Sequence, residues 1–381
     1  MITRFWGENV GILRRFSVDL RPLTFLVGPN ASGKSTFLRG LRCLAMLMRN
    51  PIYGPRGALA LGYRATLEDL FSAGFRDDQL VLGVEVVSAL GSGTYEISMR
   101  ILGGLVTVVD ERIRWDTKRG AGFTYPSGQE FNYIHRGNAL SSKLPRATSL
   151  PYFCGEIQRR EPAQRQVLQP LYDLVSCFSP FHVYRFSPSS VARPVSPAAE
   201  LAYDGGGLAA ELDRLLGMKR PTFDSIVARL QASFGHIDQL KVDTLTGEKG
   251  PLKGLKFQRK DGTVVDAEME SDGVLLTLAH LILSTRADPA IGVEEPETAT
   301  YPSLIESRLR LFRELAEGGK DRLSTQILVT THSHLLLSAL QDPEQVRIFE
   351  PGADNVRIYQ PPEATMFEVI GRRLGWSVGT E

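Results

Sequence analysis

The sequence predicts an α/β protein with a parallel-sheet core, an N-terminal antiparallel β subdomain and an inserted α/β lid region. Three observations carry that expectation. Apolar runs at 23–27, 290–293 and 326–330 have the composition of short strands buried on both faces. A patterned helix follows each of them, and strand–helix alternation implies a parallel sheet with helical cover. Ahead of the first run, residues 2–20 alternate apolar and polar side chains around a turn region at 7–11, the period of antiparallel strands.

Taken in order, Ile2, Trp6, Phe16, Val18 and Leu20 belong to the antiparallel part, and Leu23-Thr24-Phe25-Leu26-Val27 to the first buried strand. Glycines at 28 and 33 break that strand. A helix is expected over 34–49, with Phe37, Leu38, Leu41, Leu44, Ala45 and Met48 on one face. Residues 80–87, 95–99 and 105–109 read as meander strands, and 116–150, rich in Gly, Ser, Asn and Arg, as an irregular insertion. A helix is expected over 156–178 in spite of Pro162 and Pro170. The three prolines of 186–198 mark a linker, and 208–216 and 223–234 are amphipathic helices. Asp261-Gly262 is a hairpin turn within 239–268. Helices at 274–283, 302–317 and 333–340 alternate with the last two buried strands.

Composition narrows the class. Of 381 residues, 43% are hydrophobic and 23% charged, which excludes a disordered chain and a disulfide-dense mini-protein. Cys43, Cys154 and Cys177 are widely spaced, with no Cys-x-x-Cys pair for zinc. No apolar run approaches the roughly 18 residues of a membrane span, and residues 1–11 lack a signal-peptide core. A cytoplasmic location is therefore expected. The net charge is only +1, yet residues 1–58 hold nine Lys/Arg against two Asp/Glu, and residues 112–165 ten against four. Such segments either form a footprint for nucleic-acid phosphates or lie in ion pairs on separate faces. If DNA binds, Arg114, Lys118, Arg119 and Arg136 are the candidate contacts.

The chemistry is carried by Gly28-Pro29-Asn30-Ala31-Ser32-Gly33-Lys34-Ser35, followed by Thr36. This run fits G-x-x-x-x-G-K-[ST], a phosphate-binding loop between a buried strand and a helix. Its N–H groups and the helix N-terminus supply positive potential for a triphosphate. Lys34 would reach the β- and γ-phosphates, and the Ser35 hydroxyl would ligate Mg²⁺. A second strand ends in Glu294-Glu295. Glu294 would share the metal, and Glu295 would act as general base on the attacking water. His332, after the next buried strand, would contact the γ-phosphate or that water. The expected fold is thus a P-loop NTPase, its ligands ATP and Mg²⁺, and its catalytic set Lys34, Glu295 and His332.

These motifs, in this order, resemble the ABC-type ATPase head of SMC, RecF and OLD-family proteins. Residues 28–35 correspond to Walker A, Glu270-Ser271-Asp272-Gly273 to the signature, and 290–295 to Walker B. Residues 297–302 correspond to the D-loop and His332 to the switch histidine. The runs EEPETATYP and TTHSHLLL are similar to EEPE-x-x-x-HP and THSP-x-LL of the RecF/OLD branch, and 201–216, with Asp204-Gly205, to the segment after that branch's lid helices. Glu294 stands where Asp is commoner, Tyr301 where the branch usually has His, and the signature reads SDG rather than SGG. Gln79 is one candidate for the Q-loop.

The resemblance implies a head-to-tail homodimer around two ATP molecules, in which Ser271, Asp272 and Gly273 of one subunit complete the other's site. It implies a half-head with Walker A over 1–84, an inserted region with lid helices over 85–200, a second half-head over 201–350 and an extension over 351–381. The stretch 85–170 aligns with nothing familiar and is either an interaction surface or a lid. No long heptad run interrupts 50–270, so no SMC arm is expected. About 50 residues follow His332, too few for a Toprim nuclease domain on the usual domain scale. An effector such as a nuclease is therefore expected on another chain, with DNA repair or anti-phage defence as the setting. The alternatives are the ATPase subunit of a membrane transporter and a non-hydrolysing ATP-gated scaffold.

Overall fold

The structure is a computed structural model, with no bound ligand or partner chain. It describes residues 1–49, 60–62, 65–71, 79–102, 105–117, 123–125, 130–135, 138–143, 165–248, 250–298, 301–319, 323–340, 342–352 and 355–361. In chain order, the hairpin β1 (Ile2–Val10) and β2 (Leu13–Asp19) leads to β3 (Leu23–Val27) and α1 (Lys34–Leu47). A small pair follows, β4 (Ala60–Gly62) and β5 (Ala65–Thr66), and then the meander β6 (Leu80–Val87), β7 (Gly91–Leu102), β8 (Leu105–Thr117) and β9 (Phe123–Tyr125). Next come β10 (Glu130–His135), β11 (Asn138–Lys143), α2 (Arg165–Ser176) and β12 (Phe181–Tyr184). The helices α3 (Pro188–Ala192), α4 (Leu208–Met218) and α5 (Arg220–Ser233) precede the strands β13 (Ile237–Gly247), β14 (Gly250–Arg259) and β15 (Val264–Asp266). The chain closes with α6 (Asp272–Leu281), β16 (Ala290–Glu294), α7 (Pro302–Glu317), β17 (Gln326–Thr331), α8 (His334–Ser338), β18 (Val346–Glu350) and β19 (Arg357–Tyr359).

Two sheets organise these elements. The central one has the order β12-β16-β17-β3-β18-β19, parallel except for the edge strand β19. The other runs β2-β1-β6-β7-β8-β9 and is antiparallel. Every residue of β3, β16 and β17 is buried, because helices or the second sheet cover both faces. The period of two sorts their side chains. Leu26, Val183, Ala290, Leu328 and Phe349 join one core with Phe37, Leu38 and Leu41 of α1 and with the antiparallel sheet. Phe25, Val27, Ile291, Val293, Ile327 and Val329 join a second core with Leu212 of α4, Leu278 of α6 and Phe312 of α7. The helix α1, which follows the glycine loop, and α6 therefore lie on opposite faces of the central sheet.

Several expectations are corrected. The stretch 116–150, expected to be irregular, holds the end of β8, β9 and the hairpin β10–β11, paired from Glu130↔Lys143 to His135↔Asn138. Its Gly, Ser and Asn content masked alternations such as Phe131-Asn132-Tyr133. Of the helix expected over 156–178, the described part is α2, and 151–164 lie outside the described residues. β12 falls inside 85–200 yet is a strand of the central sheet, and β19 within 351–381 supplies its edge. Only four residues long, β12 offers too short a run to separate strand from loop by pattern alone. Among the described residues no helix is long and apolar enough to cross a membrane.

Candidate nucleotide-binding site

Parallel pairing gathers the site. Glu294 is opposite Thr330, Thr331 is opposite Val27, and the Gly28 N–H donates to the Thr331 carbonyl at 3.4 Å. The loop, the polar end of β17 and the acidic end of β16 thus open from three adjacent strand C-termini, where an open α/β sheet binds its ligands. β3 and β16 are two strand spacings apart, about 10 Å, room for a phosphate and a metal ion.

The loop turns on positive φ at Ala31 (60°) and Gly33 (94°). Gly28 is required for space: a Cβ there would sit 2.4 Å from the Phe349 carbonyl oxygen and 2.7 Å from Ser32 Oγ. Lys34 is buried and donates through Nζ to the Gly28 and Pro29 carbonyls, each at 2.7 Å, and to Ser32 Oγ at 3.4 Å. Burial pushes its ammonium below the ordinary lysine value, and the charges of Glu295, Glu297 and Glu294 oppose that shift. Pro29 and Ser35 are half-buried, and Asn30 is exposed at the loop tip. Thr36 lies against Gly11 at the β1–β2 turn.

Glu294 is only 4% exposed, and its Oε2 accepts the Tyr203 hydroxyl at 2.5 Å. Burial, then the neighbouring Glu294 charge, raises the Tyr203 phenol well above its usual range, so it stays a donor. Glu295 has φ +47°, costly for a residue with a Cβ, and its N–H donates to the Thr330 carbonyl at 3.0 Å. One of its oxygens pairs with Arg185 Nη2 at 2.5 Å, and the other lies 3.5 Å from His332 Nδ1. Glu297 is fixed by the Thr331 hydroxyl (2.6 Å) and the His332 N–H (3.2 Å). The D-loop-like segment is thereby joined to the switch-like residue.

Lys34, Glu294, Glu295 and His332, expected from the sequence, thus share one crevice. Ser271, Asp272 and Gly273 do not join them. Ser271 stands at the residue before α6, its N–H donating to Glu270 Oε1 at 2.8 Å, on the far face of the sheet. No hydrogen bond or ion pair among the described residues links them to the loop. Gln79 accepts from the Asn9 side-chain amide through its carbonyl at 3.0 Å, and among the described residues no hydrogen bond joins it to the acids. Arg4, Arg15, Arg21 and Arg114 of the basic segments are ion-paired with Asp19, Glu8, Glu344 and Asp116. Lys118, Arg119 and Arg136 lie outside the described residues.

Arg185, Tyr203 and Glu297 are the residues that sequence reasoning did not assign to the site. The signal for Arg185 was its place after a strand ending at the crevice, invisible while Phe181–Tyr184 was not read as a strand. Tyr203 precedes the Asp204-Gly205 turn, which Ser190 holds by a 2.8 Å hydrogen bond to Asp204.

The donor set suits a hard divalent cation. Glu294 and Ser35 offer only oxygen, and among the described residues no group of three or more His, Cys, Asp or Glu could hold a metal unaided. A Mg²⁺ site of that kind is completed by substrate phosphates.

Comparison with known proteins agrees with this architecture. Residues 195–338 match the family described as "AAA domain, putative AbiEii toxin, Type IV TA system". No curated protein matches. The structure is similar to an SMC head bound to the C-terminal winged-helix domain of ScpA, with a TM-score of 0.52, 11% identity, and 96% of this chain and 99% of that one covered. An SMC head domain from Thermotoga maritima gives a TM-score of 0.41 at 12% identity, covering 95% and 99%. An SMC head with an extended coiled coil, bound to the C-terminal domain of ScpA from Pyrococcus furiosus, gives 0.46 at 9%, covering 97% and 98%. The chain has the α/β fold of the SMC heads, and residues 195–338 match the AAA-domain family.

Proposed function

We propose that this protein binds and hydrolyses ATP with Mg²⁺ as a head-to-tail dimer, and that the cycle drives a partner effector. One observation carries the reading: Lys34, Glu294, Glu295 and His332 converge at three strand ends, while the signature-like Ser271 lies on the opposite face of the same sheet. A loop and a signature so separated meet only when a second copy supplies one of them.

Gly28–Thr36 would cradle the phosphates, and Ser35 and Glu294 would hold Mg²⁺, whose charge would offset that of the triphosphate. Glu295 would take a proton from water as the water oxygen bonds to the γ-phosphorus. The bond to the β-bridging oxygen breaks, and ADP and phosphate leave. His332, 3.5 Å from Glu295, would orient that water. Ser271, Asp272 and Gly273, at the N-terminus of the partner's α6, would face the γ-phosphate from the other side.

The effector is proposed to be a protein on another chain, a nuclease being the favoured kind, with DNA repair or anti-phage defence as the setting and the cytoplasm as the location. DNA would bind through the basic segments 1–58 and 112–165, mainly by phosphate contacts that weaken with salt. The test is steady-state hydrolysis against protein concentration, with capture from the native host on the Glu295→Gln variant. A rise steeper than linear, and a soluble partner retained with ATP but not ADP, support the reading. Strictly linear hydrolysis by a monomer, or a membrane protein as the retained partner, overturns it.

A further inference from the structure

We propose that Arg185 is a γ-phosphate sensor that exchanges partners. In the structure its guanidinium is held by Glu295, and a bound ATP takes it over and frees that carboxylate for water. This rests on the ATPase reading above and adds a residue to its site.

The ion pair is direct, Arg185 Nη2 to Glu295 Oε2 at 2.5 Å. While it stands, one of the lone-pair sites of the proposed base is taken by an N–H, which leaves fewer for water. The two partners differ in freedom. The Arg185 side chain is 53% exposed and that of Glu295 19%, so the arginine is the one able to swing away. A guanidinium carries five N–H donors in a planar fork. Among the described residues Glu295 is the only side-chain partner recorded for it, which leaves donors for phosphate oxygens.

The backbone ties this arginine to the metal side of the site as well. The Arg185 N–H donates to the Tyr203 carbonyl at 2.8 Å, and Tyr203 holds Glu294. Two backbone-paired stretches, 185–187 beside 203–204, thus present a side chain to each of the two acids. Charge supplies the driving force. Glu294, Glu295 and Glu297 already crowd Lys34, and a triphosphate adds about four more negative charges, a load that low-dielectric sites carry only with matched cations. A γ-phosphate with three terminal oxygens is a better partner for a planar fork than one carboxylate oxygen. ADP, which ends at the β-phosphate, leaves Arg185 on Glu295.

The experiment is competitive binding of ATP and ADP, with Mg²⁺ and a fluorescent nucleotide as probe, to wild type, Arg185→Met, Arg185→Lys, Glu295→Gln and the double variant Arg185→Met/Glu295→Gln. The expected result is that Arg185→Met weakens ATP about tenfold and ADP less than about twofold, as for loss of one charge-assisted contact to phosphate. Arg185→Lys recovers part of the loss. Glu295→Gln tightens ATP, and that gain disappears in the double variant. Equal weakening of ATP and ADP by Arg185→Met, or no change in either, overturns the proposal, with thermal melts showing that each variant is folded. Hydrolysis undiminished in Glu295→Gln would instead overturn Glu295 as the base, and is read separately from the ATP/ADP ratio.

Discussion

Tyr203 donates its phenolic hydrogen to Glu294 across 2.5 Å, between a turn that follows α3 and the last residue of β16. A buried carboxylate without a partner is expensive, and this hydrogen bond supplies one and fixes its direction. Tyr203→Phe is expected to destabilise the fold by about 1–2 kcal/mol and to raise the Mg²⁺ concentration needed for half-maximal hydrolysis several-fold. Denaturant melts and a Mg²⁺ titration check both.

Ser271 at the start of α6 and Lys34 at the start of α1 are divided by the central sheet. Ser271→Arg should leave ATP binding to the single head intact and abolish hydrolysis, and Lys34→Ala should abolish both. Mixing the two inactive variants should restore activity, because one composite site in the mixed dimer has an intact loop and an intact signature. Absence of any recovery on mixing would place each complete site within one chain.

Gly28 leaves no room for a methyl group against the Phe349 backbone of β18. Gly28→Ala must displace either the loop or a central strand, at a cost of about 2 kcal/mol. The expected outcome is a lower melting temperature together with loss of nucleotide binding. Gly217→Ala, inside α4 with open space around it, should leave nucleotide binding intact and not lower the melting temperature.

His280 is buried in α6, its Nδ1 2.6 Å from the Leu276 carbonyl and its ring edge-on to Phe186 and Phe312. Burial, and then the Arg308 charge, lower its affinity for a proton well below the ordinary value of 6.5. Below that pH the unfolded chain binds a proton that the folded chain excludes. Stability therefore falls as pH drops from 6.5 toward the depressed folded value, by up to about 1.4 kcal/mol per pH unit. His280→Gln removes this share. Its unfolding free energy should decline less than that of wild type between about pH 7 and pH 5.5, a difference of about 1 kcal/mol.

Much of the core was legible in the sequence, for a physical reason. β3, β16 and β17 are buried on both faces, so composition alone marks them, and α1 and α7 carry their apolar residues at helical spacing. The loop glycines and the paired acids were legible because backbone wrapping and the proposed metal ligation demand particular residue types at fixed spacing. β12 and the hairpin β10–β11 were not legible. The first is too short for a period to show, and the second lies in a segment whose glycine, serine and asparagine content resembles loop.

The sequence by itself determined which groups could do chemistry here: a glycine loop with Lys34 and Ser35, the acids Glu294 and Glu295, His332, and a helix starting at Ser271. Only the tertiary structure decided who meets whom. Strand order set β17 between β3 and β16, which brings His332 beside Glu295 and puts the acids two strands from Lys34. The packing of α1 and α6 on opposite sheet faces kept Ser271 away from its own loop. The close pairing of 185–187 with 203–204 put Arg185 and Tyr203, some 90 to 110 residues distant in the chain, onto the two acids. Long-range contacts of this kind depend on which strands pair and which faces they bury, and no local spacing encodes that choice.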